Sequence, residues 1–194
     1  MVIITSSTLR WFVRRRTTSS PQPTMTTGHE EENKMIELRK MTALDYDRYA
    51  TLVQDDRVMR YITEQALTDT ETKQRFERIL EQQQHDRLGS YLIYTEETWI
   101  GIGHMTRSQT QPFEAELGYM LLPDQWGRGY GTAIAERLLQ LATEEELQVV
   151  TATIDPAHEA SRRILIGLGF ESTYVGPIDG LPGETLQKIV GTTE

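Results

Sequence analysis

Residues 116–170 constrain this chain more than any other stretch. An apolar run over 117–122 leads through Pro123-Asp124-Gln125-Trp126 to Gly127, Gly129 and Gly131, three glycines at alternate positions. An amphipathic run over 132–142 leaves them. The order predicts strand, glycine loop, helix. Glycine reaches positive φ at little cost and lets a ligand approach the backbone. The first N–H groups of a helix have no partner within it, and the helix dipole favours an anion there. The junction therefore suits the phosphates of a cofactor. The competing reading is a plain strand–turn–helix connection whose glycines serve tight packing.

Composition bounds the rest. The chain has 194 residues, 38% hydrophobic and 25% charged, which fits one globular domain with some sequence left over. A domain of ~150 residues buries about 70% of its unfolded surface and needs no covalent staple. Cysteine is absent, which excludes disulfides, cysteine-ligated zinc and a cysteine acyl-enzyme. No metal is expected. No apolar run approaches the roughly 20 residues that span a bilayer, so no membrane partner is expected. The formal net charge is −9 and uneven: no Asp or Glu precedes Glu30, while Arg10, Arg14, Arg15 and Arg16 do. Beyond residue 29 the balance is 16 basic to 29 acidic residues. Phosphate contacts need clustered Lys and Arg, so nucleic acid is not the expected partner. An acidic surface attracts a cationic substrate; it also simply keeps a protein soluble.

Residues 1–34 carry too little apolar surface to offset the entropy of ordering, and read as a disordered N-terminal extension before a domain over 35–194. Three origins compete: upstream sequence ahead of a natural start at Met35, a tail, or a transit peptide over 1–28, Arg-rich and acid-free. The expected compartment is the cytoplasm, with an organelle as the alternative.

From Met35 the pattern is regular. Alternation over 35–41 predicts a half-buried strand. Thr42 caps a helix over 43–54, with Leu44, Tyr46, Tyr49, Leu52 and Val53 as its apolar contacts. Residues 58–62 are of uncertain type. Thr68 or Asp69 caps a longer helix to about His85, with Phe76, Ile79 and Leu80 facing inward. Strands at 90–94 and 99–106 form a hairpin, and Gly101 and Gly103 mark a face that something approaches closely. A strand over 113–122 completes an antiparallel meander. After the glycine-led helix come a strand at 149–154, a helix opened by Asp155 and Pro156 and stopped by Gly169, a strand at 170–175, a loop at 177–183 and a last strand at 184–190.

Taken together, L-L-P-D-Q-W-G-R-G-Y-G-T, D-P-A-H-E-A-S-R-R-I-L-I-G-L-G-F, D-D-R-V-M-R-Y-I and E-L-G-Y-M resemble the GNAT superfamily of N-acetyltransferases. More narrowly, they resemble its ribosomal-protein alanine acetyltransferase branch. The resemblance covers residue 35 to the C-terminus. It implies an α+β fold: a mixed, largely antiparallel sheet of about seven strands with four helices and a central splay between the strands that begin at Phe113 and Val149. It implies acetyl-CoA as co-substrate in that splay. The pyrophosphate would rest on Gly127, Arg128, Gly129, Tyr130, Gly131 and Thr132, and the pantetheine arm would pair with Met120, Leu121 and Leu122. The thioester carbonyl would point at an N–H near Leu121. Trp126 stands where the wider family has Gln or Arg, His158 where it often has Asn, and Leu165 where it often has the Tyr that protonates the leaving thiolate. Ser161, which the branch uses at its position, is the substitute acid; it also reads as a helix-surface or cofactor-lining serine.

The acceptor amine must lose a proton before it attacks, and a nearby carboxylate can take it. Glu114 and Glu116 share a strand face ahead of the splay. Glu116, the nearer, is the expected base and Glu114 the next candidate; either also reads as a structural or substrate-orienting carboxylate. His104 is a further option, against its reading as a scaffold residue. Transfer would be direct to a primary amine, a protein N-terminus or a small cation, by a monomer or homodimer. Acceptor specificity is expected in residues 43–85 and the 177–183 loop. Two other functions compete. One is a non-catalytic acetyl-CoA-binding module. The other is a dinucleotide-binding oxidoreductase, whose fingerprint would need a glycine at position 132, where Thr stands.

Overall fold

The computed structural model describes residues 35–191; the extension expected over 1–34 lies outside the described residues. The first alternating stretch gives β1 (Glu37–Lys40). Thr42 and Asp45 close a capping box over a 3-10 turn (Ala43–Asp45), which continues into α1 (Tyr46–Val53). Leu44, expected in the core, is 91% exposed because it sits in that tighter turn, where the α-helical period does not hold. Residues 58–62 straddle the end of a short helix, α2 (Asp56–Met59), capped by Asp55. α3 (Asp69–Gln82) opens on a second capping box, Thr68 with Glu71. It ends before His85 because Gln83 turns inward: its Nε2 donates to Met41 O at 2.7 Å and its Oε1 accepts from Ser90 N at 2.9 Å.

The expected meander follows: β2 (Gly89–Thr95), β3 (Thr98–Arg107) and β4 (Glu114–Leu121), antiparallel in sequence. Then come α4 (Tyr130–Glu144), β5 (Val149–Ile154), α5 (Glu159–Gly167), β6 (Glu171–Ile178) and β7 (Leu181–Ile189). Two expectations are corrected here. The 177–183 stretch is the tip of a hairpin, with β6 and β7 paired out to Ile178↔Leu181. Asp179 and Gly180 turn the chain at φ 49° and 86°, as a two-residue type I′ turn requires. Secondly, α5 starts at Glu159 with His158 as its cap, not at Pro156. Asp155 spends its carboxylate on Ala157 N (2.7 Å) and its carbonyl on His158 N (2.9 Å), which makes a turn ahead of the helix.

The seven strands form one sheet in the order β1-β2-β3-β4-β5-β7-β6. Among the described strands, β4 and β5 form its single parallel pair. Strand alternation divides the core between the two faces. Leu117, Tyr119, Ile134, Leu138 and Leu165 pack with α4 and α5. Tyr49, Leu52, Phe76, Leu92, Ile102 and Met120 pack with α1–α3. The fold is α+β, as expected; the additional helix is α2.

Candidate active site

β4 and β5 lie side by side for three pairs, Glu114↔Val149, Ala115↔Val150 and Glu116↔Thr151, and then part. Beyond that point each is held only by its outer neighbour, β4 by β3 as far as Leu121 and β5 by β7 as far as Ile154. Leu122 N donates to Ile100 O, and Ser108 N to Glu114 O, so the even-numbered residues of β4 turn their backbone groups to β3. Leu117, Tyr119 and Leu121 turn theirs into the splay. Of the three residues expected to pair with a pantetheine arm, Leu121 alone faces it; Met120 and Leu122 are engaged with β3. Trp126 Nε1 donates to Leu121 O at 3.0 Å, leaving the N–H of Leu121 to the splay. Gly101 and Gly103 are explained by packing: Cβ atoms there would lie 2.2 Å from the Met120 carbonyl and 3.1 Å from Ile93 Cδ1.

The glycine loop lies at the open end of the splay, and its three glycines do different work. Gly127 and Gly129 take φ 72° and 77°, where other residues are strained. A Cβ on Gly127 would meet nothing within 4 Å, so a ligand can approach that backbone. A Cβ on Gly131 would lie 2.9 Å from Ile164 Cδ1 and 3.4 Å from Tyr119 Oη, so this glycine lets the first turn of α4 settle on α5 and β4. The packing reading thus describes Gly131, while Gly127 leaves room for the phosphate reading. Side chains cap α2, α3 and α5, but none caps α4. Its first turn, residues 130–132, suits an external anion, and Arg128 stands exposed beside it. This cradle fits a pyrophosphate.

Glu116 occupies the last paired position before the strands separate. The residue is partly exposed, but protein encloses its carboxyl on most sides. Burial pushes its pKa up to about 8; a hydrogen bond with Thr153 across the splay opposes the shift and the charge of Glu114 adds to it. Glu114 is half-buried on the same face, and burial raises its pKa too. His104 is buried with Nδ1 2.7 Å from Ser90 Oγ, and burial pushes its pKa down to about 3. It is neutral, as a scaffold residue would be.

On the opposite face, α5 brings His158 and Ser161 to the splay. His158 Nδ1 accepts from Ser161 N at 3.1 Å, so the ring proton sits on Nε2. Its ring meets Tyr61 edge-on at 4.6 Å, which links the α1–α3 side to α5. Burial pushes the pKa of His158 down to about 4. Ser161 is buried in the first turn of α5, one turn above buried Leu165. Tyr119 reaches towards it from β4. Sequence reasoning passed over Tyr61, Tyr119 and Thr153. For Thr153 the signal was parity, since it shares the face of Glu114 and Glu116 on the adjoining strand; Tyr119 has the opposite parity and read as core. Tyr61 stands in the D-D-R-V-M-R-Y-I stretch, but nothing in the sequence gave it a partner. No group of three or more metal-ligating side chains occurs among the described residues. Nor is any described helix long and apolar enough to cross a membrane. The shallow groove lined by Glu136, Leu139, Lys188 and Ile189 lies along the later half of α4, away from these groups.

A family profile described as "Acetyltransferase (GNAT) domain" matches residues 36–171. YoaA of Bacillus subtilis (strain 168), an uncharacterized N-acetyltransferase, is 26% identical over 153 residues, 75% of this chain and 84% of that protein. Among solved structures, the aminoglycoside acetyltransferase AAC(6')-Ib with coenzyme A superposes with TM-score 0.68 at 16% identity, covering 80% of this chain and 95% of that one. Spermidine N-acetyltransferase from Vibrio cholerae, with CoA and spermine, gives 0.67 at 15% identity over 79% and 95% of the two chains. RimL, a ribosomal L7/L12 alpha-N-protein acetyltransferase with coenzyme A, gives 0.67 at 14% identity over 79% and 93%. These structural likenesses establish the fold, and they spread over three kinds of acceptor. The family match removes the oxidoreductase alternative, as does a sheet whose single parallel pair follows an antiparallel meander. The chain belongs to the GNAT acetyltransferase family, the acetyl-CoA-dependent N-acetyltransferases.

Proposed function

We propose that this protein transfers the acetyl group of acetyl-CoA directly to a primary amine, with Glu116 as the base. One arrangement carries the proposal: a buried carboxylate of raised pKa at the closed end of the splay and an uncapped helix with a glycine cradle at its open end. Acetyl-CoA supplies the activated acetyl group. Gly127, Gly129 and the first turn of α4 hold its pyrophosphate, with Arg128, Tyr130 and Thr132 around it. The Leu121 N–H faces the splay and can stabilise negative charge developing on a carbonyl oxygen. His158 offers a neutral Nε2–H donor, and Ser161 a hydroxyl, from the α5 side. Glu116 removes the amine proton, with Glu114 as the second carboxylate on the same face. A carboxyl with a pKa of about 8 is a far stronger base than an ordinary glutamate.

The acceptor is a protein N-terminus or a small cationic amine. The branch resemblance supports the first, and the formal charge of −9 with two carboxylates at the splay supports any cation. Tyr61 and α1–α3 border the acceptor side. We place the catalytic domain at residues 35–194, acting in the cytoplasm as a monomer or homodimer.

Calorimetric titration with acetyl-CoA, with NADH as control, tests the cofactor; one-site binding of acetyl-CoA alone is expected. Glu116→Gln then tests the base, with an expected loss of about 100-fold in kcat/KM. A loss within about threefold would remove Glu116 from that role.

A further inference from the structure

The phenol of Tyr119 is a polar group buried among the apolar side chains on this side of the sheet. Tyr119 is 4% exposed, and its Oη has no hydrogen-bond partner that meets strict geometry. Its placement is also specific. Tyr119 belongs to the part of β4 that has left β5, and its side chain lies on the α4–α5 face. The hydroxyl sits by the first turn of α4, near Gly131, in a space it shares with Ile164. Ile164 and Ser161 are three residues apart on α5, so they share a helix face. Ser161 interacts with the phenol and opposes the effect of burial, which pushes its pKa up to about 12. Leu165, buried one turn further along α5, has no polar side-chain atom to offer.

Resting on the acetyltransferase reading above, we infer that Tyr119 is a positioning residue for the leaving sulfur: its hydroxyl donates to Ser161 Oγ and directs the Ser161 O–H to the thiolate. In the transfer, the amine nitrogen bonds to the acetyl carbon, and the C–S bond breaks with its electron pair on sulfur. Ser161 passes its proton to that sulfur and regains one from Tyr119. The phenolate recovers its proton from water, and Glu116 releases to water the proton it took from the amine. The strand thus supplies the phenol, where the adjoining turn of α5 offers only the apolar Leu165.

The test compares Tyr119→Phe with wild type in the full chain. With acetyl-CoA the variant is expected to lose about 10- to 100-fold in kcat, with KM for acetyl-CoA little changed. With acetyl-seleno-CoA, whose selenolate leaves without needing a proton, the two proteins are expected to react alike. A binding measurement independent of turnover accompanies this. Wild type should prefer CoA over desulfo-CoA increasingly as pH rises and the thiol ionises, and Tyr119→Phe should lose the preference. Unchanged rates, equal losses with both donors, or an unchanged binding preference would each overturn the inference. Should Tyr119→Phe fail to fold, Ser161→Ala is expected to show the same donor dependence and binding loss, and its absence would count equally against the pair. Wild type that transfers acetyl to no amine would instead defeat the parent reading, with the CoA to desulfo-CoA comparison still deciding the contact.

Discussion

Glu114 and Glu116 differ by two positions on one strand face, yet only Glu116 is enclosed where the strands part. Its raised pKa has two consequences with opposite use of the same proton. For activity, the base must be ionised, so kcat/KM should climb as pH rises through about 8 and flatten above it. Glu116→Gln should abolish that limb in a pH–rate profile. For stability, the folded protein holds a proton that the unfolded chain releases near a pKa of ~4.3. The stability this proton contributes is complete below that value and lost as pH rises through about 8. Glu116→Gln stays neutral throughout. It should therefore melt close to wild type near pH 5 and increasingly above wild type towards pH 9, as thermal melts across that range would show. In the sequence, Glu116 was the expected base because it stands nearer the expected splay than Glu114 and because of the branch resemblance. Its environment was not legible, because Thr153 comes from a strand more than thirty residues away.

At the scale of elements, glycine type predicts conformation but not purpose. Gly127 and Gly131 looked alike in the sequence, four positions apart in one loop. Gly127→Ala meets no atoms but must hold φ 72°, at a cost of about 1–2 kcal/mol, in the backbone that faces the anion site. It should weaken acetyl-CoA binding in calorimetry more than it lowers Tm. Gly131→Ala must push back Ile164 and approach Tyr119, and should lower Tm as well as affinity. Gln83→Ala should cost about 1–3 kcal/mol in denaturant unfolding and leave the acetyl-CoA Kd unchanged, because its amide bridges Met41 and Ser90 far from the splay. Strand and helix order was readable from alternation, capping residues and glycines. The misreadings came where local signals compete. Two prolines, Pro177 and Pro182, face each other across the β6–β7 pair and hid a hairpin that Asp179-Gly180 announces. Asp155 took its carboxylate to a turn where a helix cap was expected.

For the whole molecule, the sheet is continuous except at one place, and the groups suited to acetyl transfer collect there. The meander and the β5–β7–β6 unit meet through three residue pairs of β4 and β5, and both faces of the sheet contribute: carboxylates on the α1–α3 side, hydroxyls and the helix start on the α4–α5 side. The motif order in the sequence pointed to this junction. The acceptor was not legible; on the proposed reading it meets α1–α3 and Tyr61, whose contact with His158 arises only in three dimensions. A chain beginning at Met35 should keep the Tm of the full chain, which differential scanning calorimetry would check. The most direct test of the central claim is release of free thiol from acetyl-CoA by the full chain in the presence of a peptide N-terminus, spermidine or an aminoglycoside. A thiol reagent reads this cleanly because the protein has no cysteine. The account predicts release that depends on the amine and falls about 100-fold in Glu116→Gln. Tight binding of acetyl-CoA with no thiol released in the presence of any amine would contradict it and leave a binding module in place of an enzyme.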